Sequence, residues 1–277
     1  MSIIEAIVFG IIQGLTEFLP VSSTAHIVIT QLAFGYAFPG LAFEIYLHIA
    51  SVLAVILYFW KDLWHIIKGF FGFITNRTSE NRVSFYFGIF LIVATVITGV
   101  LGMLLSDFIA DSIKTPPFIA AALTVTGLAL IFIERFHKYG NRTEKDMTFL
   151  DSIVVGLGQT LAVIPGISRS GSTLVVSLLL GLNRDTAVRY SFLLAIPVIL
   201  GSSVLALDEL SGDLVSQIGA LPLILSFIVT FFFSWIGIVW LIEFIKRSKL
   251  IYFAIYCFVV AILVFAFLDP TTVMDLE

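Results

Sequence analysis

The sequence predicts an all-α polytopic membrane protein, with six full transmembrane helices and two re-entrant helical hairpins arranged as inverted-topology repeats. Three observations predict it: an apolar composition, an uneven distribution of Lys and Arg, and two interrupted apolar segments that echo one another. Of 277 residues, 59% are apolar and only 12% are charged, with mean hydropathy +1.08. Soluble domains average about 25% charged residues, so half the usual solubilising groups are missing and a bilayer must take up the apolar surface. The 27 Phe suit lipid contact and the headgroup level. The net charge of −4 belongs to the loops and points to no nucleic-acid partner. The one cysteine, Cys257, sits in an apolar run, so neither an intrachain disulfide nor a Cys-based metal site is expected. Met1 to Glu5 has no basic stretch or cleavage site, and no signal peptide is expected.

A full span needs roughly 20 mainly apolar residues. In chain order the pattern gives a broken segment at 3–34, spans at about 43–60, 84–105 and 117–134, then a second broken segment at 151–182. Spans at about 187–207, 219–243 and 250–268 complete it, and 1–277 is expected to be one membrane domain. In the first broken segment Gln13, Glu17, Pro20, Ser22, Ser23, Thr24 and His26 fall within 14 positions. In the second, Gln159, Pro165, Gly166, Ser168, Arg169, Ser170, Gly171, Ser172 and Thr173 fall within 15. Irregular backbone at membrane depth is tolerated only inside protein or beside a wet cavity, so each segment is expected to be a re-entrant hairpin.

Basic residues supply the orientation. Lys61, Lys68, Arg77 and Arg82 precede one span, and Arg135, Lys138, Arg142 and Lys145 follow another. Arg184, Arg189, Lys246, Arg247 and Lys249 mark two further basic sites. By contrast 106–116 has only Lys114 beside Asp107 and Asp111, and 208–217 has Asp208, Glu209 and Asp213 without a basic residue. The positive-inside rule makes the basic loops cytoplasmic. Six spans then thread only if 151–182 enters and leaves on the cytoplasmic side and 1–42 on the outside, with both termini external. The two segments also match as copies. Gly10, Gln13, Pro20 and Ser23 correspond to Gly156, Gln159, Pro165 and Ser168, and Phe43 to Tyr190, at offsets of 145 to 147. The implied repeats run over about 1–134 and 148–268, with a site where the two breaks meet.

Within the first hairpin, Gln13 and Glu17 are four apart on one helix face, and Gly10 and Gly14 beside them admit a close helix neighbour. Pro20 ends that helix, and the hydroxyl-rich run Ser22, Ser23, Thr24 can cap the next one. A carboxylate at mid-span costs about 2.5–3.5 kcal/mol on insertion scales, which favours a functional Glu17 over a structural one. Arg169 is the only basic residue between Lys145 and Arg184. A buried guanidinium must find an anion, and the surrounding Gly and Ser residues ahead of a helix resemble a phosphate nest. The alternative is a structural Arg169–Glu17 ion pair. Carboxylate, hydroxyl, imidazole and guanidinium together fit phosphoryl transfer. Glu44 and His48, four apart on the next span, either support the site from behind or simply pack, and His65 and His137 receive no role. Glu134 and Arg135 read as a membrane-interface pair.

The run Gln13-Gly-Leu-Thr-Glu17-Phe-Leu-Pro-Val-Ser-Ser-Thr-Ala-His26, with Pro165-Gly-Ile-Ser-Arg-Ser-Gly-Ser-Thr173, closely resembles the undecaprenyl pyrophosphate phosphatase family of the bacitracin-resistance type. The resemblance covers essentially the whole chain. It implies a plasma-membrane enzyme that removes the terminal phosphate of a polyprenyl diphosphate and so recycles the lipid carrier for cell-wall glycan synthesis. It implies catalytic roles for Glu17, Ser23, His26 and Arg169, and stimulation by a divalent cation, Mg2+ or Ca2+. Substrate contacts are expected from Gln13, Ser22, Thr24, Ser168, Ser170 and Thr173. Glu17 would hold the cation with Gln13 as a weaker ligand, since Gln13 stands where well-known members carry Glu and an amide is a poorer ligand than a carboxylate. Ala25 replaces a common Gly. Ser23 is the expected nucleophile, with Glu17 or His26 taking its proton; His26 as nucleophile is the rival. The sequence leaves a homodimer open. A lipid flippase or transporter is the second functional reading, because inverted repeats with broken helices are common in carriers. A membrane scaffold is the third, and it leaves Glu17 and Arg169 unexplained.

Overall fold

The structure, a computed structural model, describes residues 1–35, 42–106, 115–205, 213–247 and 249–268. Among the described residues it is helical, with one isolated bridge between Arg142 and Leu182. The chain runs through α1 (Ile3–Thr16), α2 (Ser23–Phe34), α3 (Ala42–Tyr58), α4 (Trp60–Thr75), α5 (Ser79–Ser106) and α6 (Pro116–Phe136). It continues through α7 (Phe149–Thr160), α8 (Arg169–Leu179), α9 (Arg184–Leu205), α10 (Asp213–Ile218), α11 (Ala220–Arg247) and α12 (Ile251–Phe267).

Among the described residues four helices are long and apolar enough to cross a membrane: α5, α6, α9 and α11. The pair α3 and α4 passes the same test only as a unit, and the chain bends by 73° between them. α1, α2, α12 and the stretch 149–163 are shorter apolar helices. Both expected breaks occur, between α1 and α2 and between α7 and α8. Residues 61–82, expected as a basic loop, instead hold α4 and the start of α5. Lys61, Asp62 and Lys68 lower the hydropathy there and mask an amphipathic pattern. Ile66 and Gly69 are buried against α5, while Trp60, Trp64, Phe71 and Ile74 are more than half exposed. Asp107, Asp111, Lys114, Asp208 and Glu209, the acid-rich side of the charge count, lie outside the described residues.

Lipid is as apolar as a Leu side chain, so helices in a membrane associate through close packing and polar contacts. α1 lies on α11 with Gly10 and Gly14 at the contact. A Cβ at Gly14 would stand 2.6 Å from the Phe233 Cβ and 2.7 Å from the Thr230 carbonyl oxygen, so no larger residue fits without moving α11. In the same way α7 lies on α5 through Gly156, whose Cβ would fall 3.0 Å from the Ala94 carbonyl oxygen. α3 packs on α9 and α6 on α12. The interior holds Phe18, Phe87 and Tyr190, whose hydroxyl donates to the Phe90 carbonyl at 2.9 Å. Leu104, Leu128, Phe132, Phe232, Ile262 and Phe265 are more than half exposed, the surface a bilayer would cover.

Polar side chains fasten one end of the bundle. Arg142 donates to Asp151 at the start of α7 (3.0 and 2.5 Å) and to the Leu180 carbonyl just beyond α8 (2.6 Å). One guanidinium therefore clamps the two ends of the second broken segment side by side. Arg189 of α9 pairs with Asp62 at 2.7 Å and with Glu144. Glu134 accepts from Tyr139 (2.5 Å), from Arg184 (3.4 Å) and from the Leu250 N–H (3.1 Å), so it serves as an interhelix anchor beyond the interface role expected of it.

Candidate active site

Local chemistry shapes each tip. Glu17 follows the last turn of α1, and its backbone N–H still donates to the Gln13 carbonyl. Pro20 prevents α1 from continuing, and Ser22 then takes φ 67°, an unusual left-handed conformation for a residue with a side chain. Such a conformation costs of order 1–3 kcal/mol and persists where the surroundings over-determine it. Its hydroxyl caps α2 by accepting the Ala25 N–H at 3.4 Å, which leaves Ser23 as the first helical residue. In the second tip, Gly166 takes φ 96° where a Cβ would meet the Ala122 Cβ at 2.7 Å. Ser168 then caps α8 through the Gly171 N–H at 3.0 Å, and Arg169 is its first residue.

The two tips touch. Ser170 donates to the Leu19 carbonyl at 2.9 Å, and Arg169 Nη2 donates to Glu17 Oε1 at 2.7 Å. The other oxygen, Glu17 Oε2, accepts from Ser23 Oγ at 2.7 Å and from Gln13 Nε2 at 2.8 Å. His48 of α3 brings Nε2 to 3.1 Å from the same oxygen. Glu17 is 4% exposed, so these groups stand in for its lost hydration. Beside the carboxylate opens a cavity of about 420 Å³. Ser22, Ser23, Thr24, Ser168 and Arg169 line it, together with Glu44 and His48. Ile45, Val163, Ile164, Ile167, Val198 and Ile199 supply apolar wall. The first turns of α2 and α8 both open toward it, and a helix leaves its first-turn N–H groups without intrahelical acceptors and a partial positive charge at that end. The site thus presents anion-binding ends, a guanidinium and a hydroxyl bonded to a carboxylate, beside apolar wall.

Not every expected residue is brought here. His26 lies one turn along α2 and faces elsewhere: Nδ1 is 2.7 Å from the Ser22 carbonyl oxygen, and Nε2 is 2.7 Å from the Tyr256 hydroxyl, with the two rings stacked. It does not line the cavity. Thr173 is buried and donates back to the Arg169 and Ser170 carbonyls, and Ser170 is spent on Leu19. Gln13 is fully buried behind Glu17, and its carboxamide oxygen has no partner among the described residues. His48 carried only the signal of Glu44 and His48 four apart in an apolar span, which does not tell support from packing.

A divalent cation at Glu17 would share the carboxylate with the groups already bonded to it. A carboxylate offers about four lone-pair directions, two on each oxygen; Ser23, Gln13 and His48 crowd Oε2, whereas Oε1 meets Arg169 and keeps one direction open. Gln13 Oε1 is a second oxygen beside it, neutral and without a partner among the described residues. Among the described residues no group of three or more His, Cys, Asp or Glu could hold a metal ion.

Comparison with known proteins gives one consistent result. The family model described as "Bacitracin resistance protein BacA" matches residues 6–263. "Undecaprenyl-diphosphatase 2" of Halalkalibacterium halodurans is 67% identical over the full length of both chains. "Undecaprenyl-diphosphatase 1" of Shouchella clausii is 60% identical, covering 97% of this chain and 98% of that one. "Undecaprenyl-diphosphatase 3" of Bacillus anthracis is 37% identical over 96% of this chain and 98% of its own.

Proposed function

The chain belongs to the bacitracin resistance protein BacA family, and from that premise we propose how its site hydrolyses undecaprenyl diphosphate to the monophosphate and inorganic phosphate. One observation carries the mechanism: Glu17 joins Ser23 to Arg169 across two chain breaks at the edge of a cavity. The diphosphate enters between the first turns of α2 and α8, with its prenyl chain along the Ile and Val wall. Arg169 turns its remaining N–H groups to the phosphate oxygens and offsets charge on the transferred group. Ser23 Oγ gives its proton to Glu17 Oε2 and forms the bond to the terminal phosphorus, while the bridging P–O bond breaks and the lipid monophosphate leaves. Water then attacks phosphorus and the P–Oγ bond breaks; both water protons leave with the inorganic phosphate, and Oγ takes its proton back from Glu17, which restores the carboxylate. Ser23 is favoured over His26 as nucleophile because both nitrogens of His26 already face partners and its ring lies off the cavity. Phosphate released from undecaprenyl diphosphate by the detergent-solubilised protein, with and without added Mg2+ or Ca2+, is the test. An intact lipid across all those conditions would favour the carrier reading.

The finer architecture belongs to the same proposal. Six spans and two re-entrant hairpins related by inversion account for the helix pairs. α1 on α11 corresponds to α7 on α5, through Gly10 and Gly156, while α3 with α9 and α6 with α12 each pair corresponding elements. The Arg142 clamp supports entry and exit of the second hairpin on one side. The basic loops then face the cytoplasm of a cell membrane, with both termini outside. A single cysteine placed at Ser2 should react with an impermeant maleimide in intact cells, and one at Lys145 only after lysis. The reverse pattern would invert the topology.

A further inference from the structure

We propose that His48 is a positioning residue for the reaction, holding Glu17 Oε2 in line with the Ser23 hydroxyl; the proposal rests on the phosphatase mechanism above. Glu44 and His48 are one helical turn apart on α3, and the ring is fixed from both ends. Its Nδ1 lies 2.6 Å from the Glu44 carbonyl oxygen and its Nε2 faces the Glu17 carboxylate; both oxygens can only accept, so both ring nitrogens carry an N–H and the ring is an imidazolium. The Nδ1 bond fixes the plane of the ring and delivers Nε2 to Glu17 Oε2 at 3.1 Å. The contact falls on the oxygen that receives the Ser23 hydroxyl, whereas Arg169 holds the opposite oxygen. Oε2 is thus located by Gln13 from its own helix and by His48 from a different one, which fixes both its place along α1 and its distance from α3.

The reason α3 needs such a link lies in the backbone. Glu17 sits where α1 has ended, in a turn that contains Pro20 and the strained Ser22, so its carboxylate is not held by helix geometry alone. α3 is anchored independently: Ser51, one turn beyond His48, receives the Ser234 hydroxyl of α11 at 2.9 Å. His48 therefore refers the proton acceptor of the reaction to a rigid helix. The other charged groups near its ring are Glu44 on α3 and Arg169 beyond Glu17. On α9, Arg184 and Arg189 are committed to Glu134 and to Asp62 with Glu144.

The amide nitrogen of a Gln falls close to where Nε2 of a His stands, so a Gln at 48 keeps the donor to Glu17, and Leu or Met removes it. His48→Leu is expected to lower kcat for phosphate release by about a hundredfold, the scale of a misplaced reacting group, with KM within about twofold. His48→Gln is expected to recover most of that loss. Should the Leu variant fail to fold, His48→Met serves in its place. Equal kcat for the wild type and the Leu or Met variant overturns the proposal, and so does a well-folded Gln variant as slow as the apolar ones. A wild-type protein that releases no phosphate would instead sink the phosphatase mechanism on which the proposal stands, so the two failures are told apart.

Discussion

Arg169→Ala is expected to reduce phosphate release from undecaprenyl diphosphate by about three orders of magnitude or more, the range seen when a guanidinium that neutralises a transferring phosphoryl group is lost. Arg169 begins α8, borders the cavity and spends one N–H group on Glu17, which leaves others for the substrate. A purely structural ion pair would behave differently. Removing one partner of a buried pair costs about 3–5 kcal/mol of stability, but Glu17 would still be held by Gln13, Ser23 and His48. A structural role therefore predicts a lower melting temperature with turnover kept in the molecules that remain folded. A catalytic role predicts lost turnover in protein that still melts cooperatively. Arg169→Lys keeps a charge but loses the planar fork that grips phosphate oxygens, so it should recover only a small part of the rate. Normal activity in the Ala variant would refute the assignment.

Ser23→Ala is expected to abolish turnover to a similar degree and to remove any trapped phosphoenzyme. Its hydroxyl stands 2.7 Å from Glu17 Oε2, the geometry of a nucleophile beside its base. Ser22→Ala is the informative neighbour. Ser22 supplies a helix cap, whose loss costs about 0.5–2 kcal/mol, and it should lower stability more than it lowers kcat. Rapid quenching with lipid labelled in its terminal phosphate should place the label on Ser23. Label recovered on His26 would reverse the roles, and would require that ring to leave both Ser22 and Tyr256 before it could reach the cavity.

The sequence alone announced a membrane protein, because a 12% share of charged residues is a bulk property that no packing arrangement changes. It also located both chain breaks, since Pro20 and the Pro165–Gly166 pair act on their own backbone. α4 was hidden because three charged residues lower the local hydropathy, and only its contact with α5 separates an amphipathic helix from a loop.

The list of candidate residues came from types and spacing; which of them meet did not. Ser23 and His26 are three apart on α2 and so lie on neighbouring faces, but the direction of the His26 ring is set by Tyr256, 230 positions away. Glu17 gained His48 from α3 in the same way, whereas its pairing with Arg169 of α8 was already one reading of the sequence. Side chains on one helix are ordered by a period the chain carries within itself. Side chains on different helices are brought together only by packing, in which Gly10 and Gly14 seat α1 on α11, Gly156 seats α7 on α5 and α3 lies on α11 and α9, and those distances are a property of the packed whole.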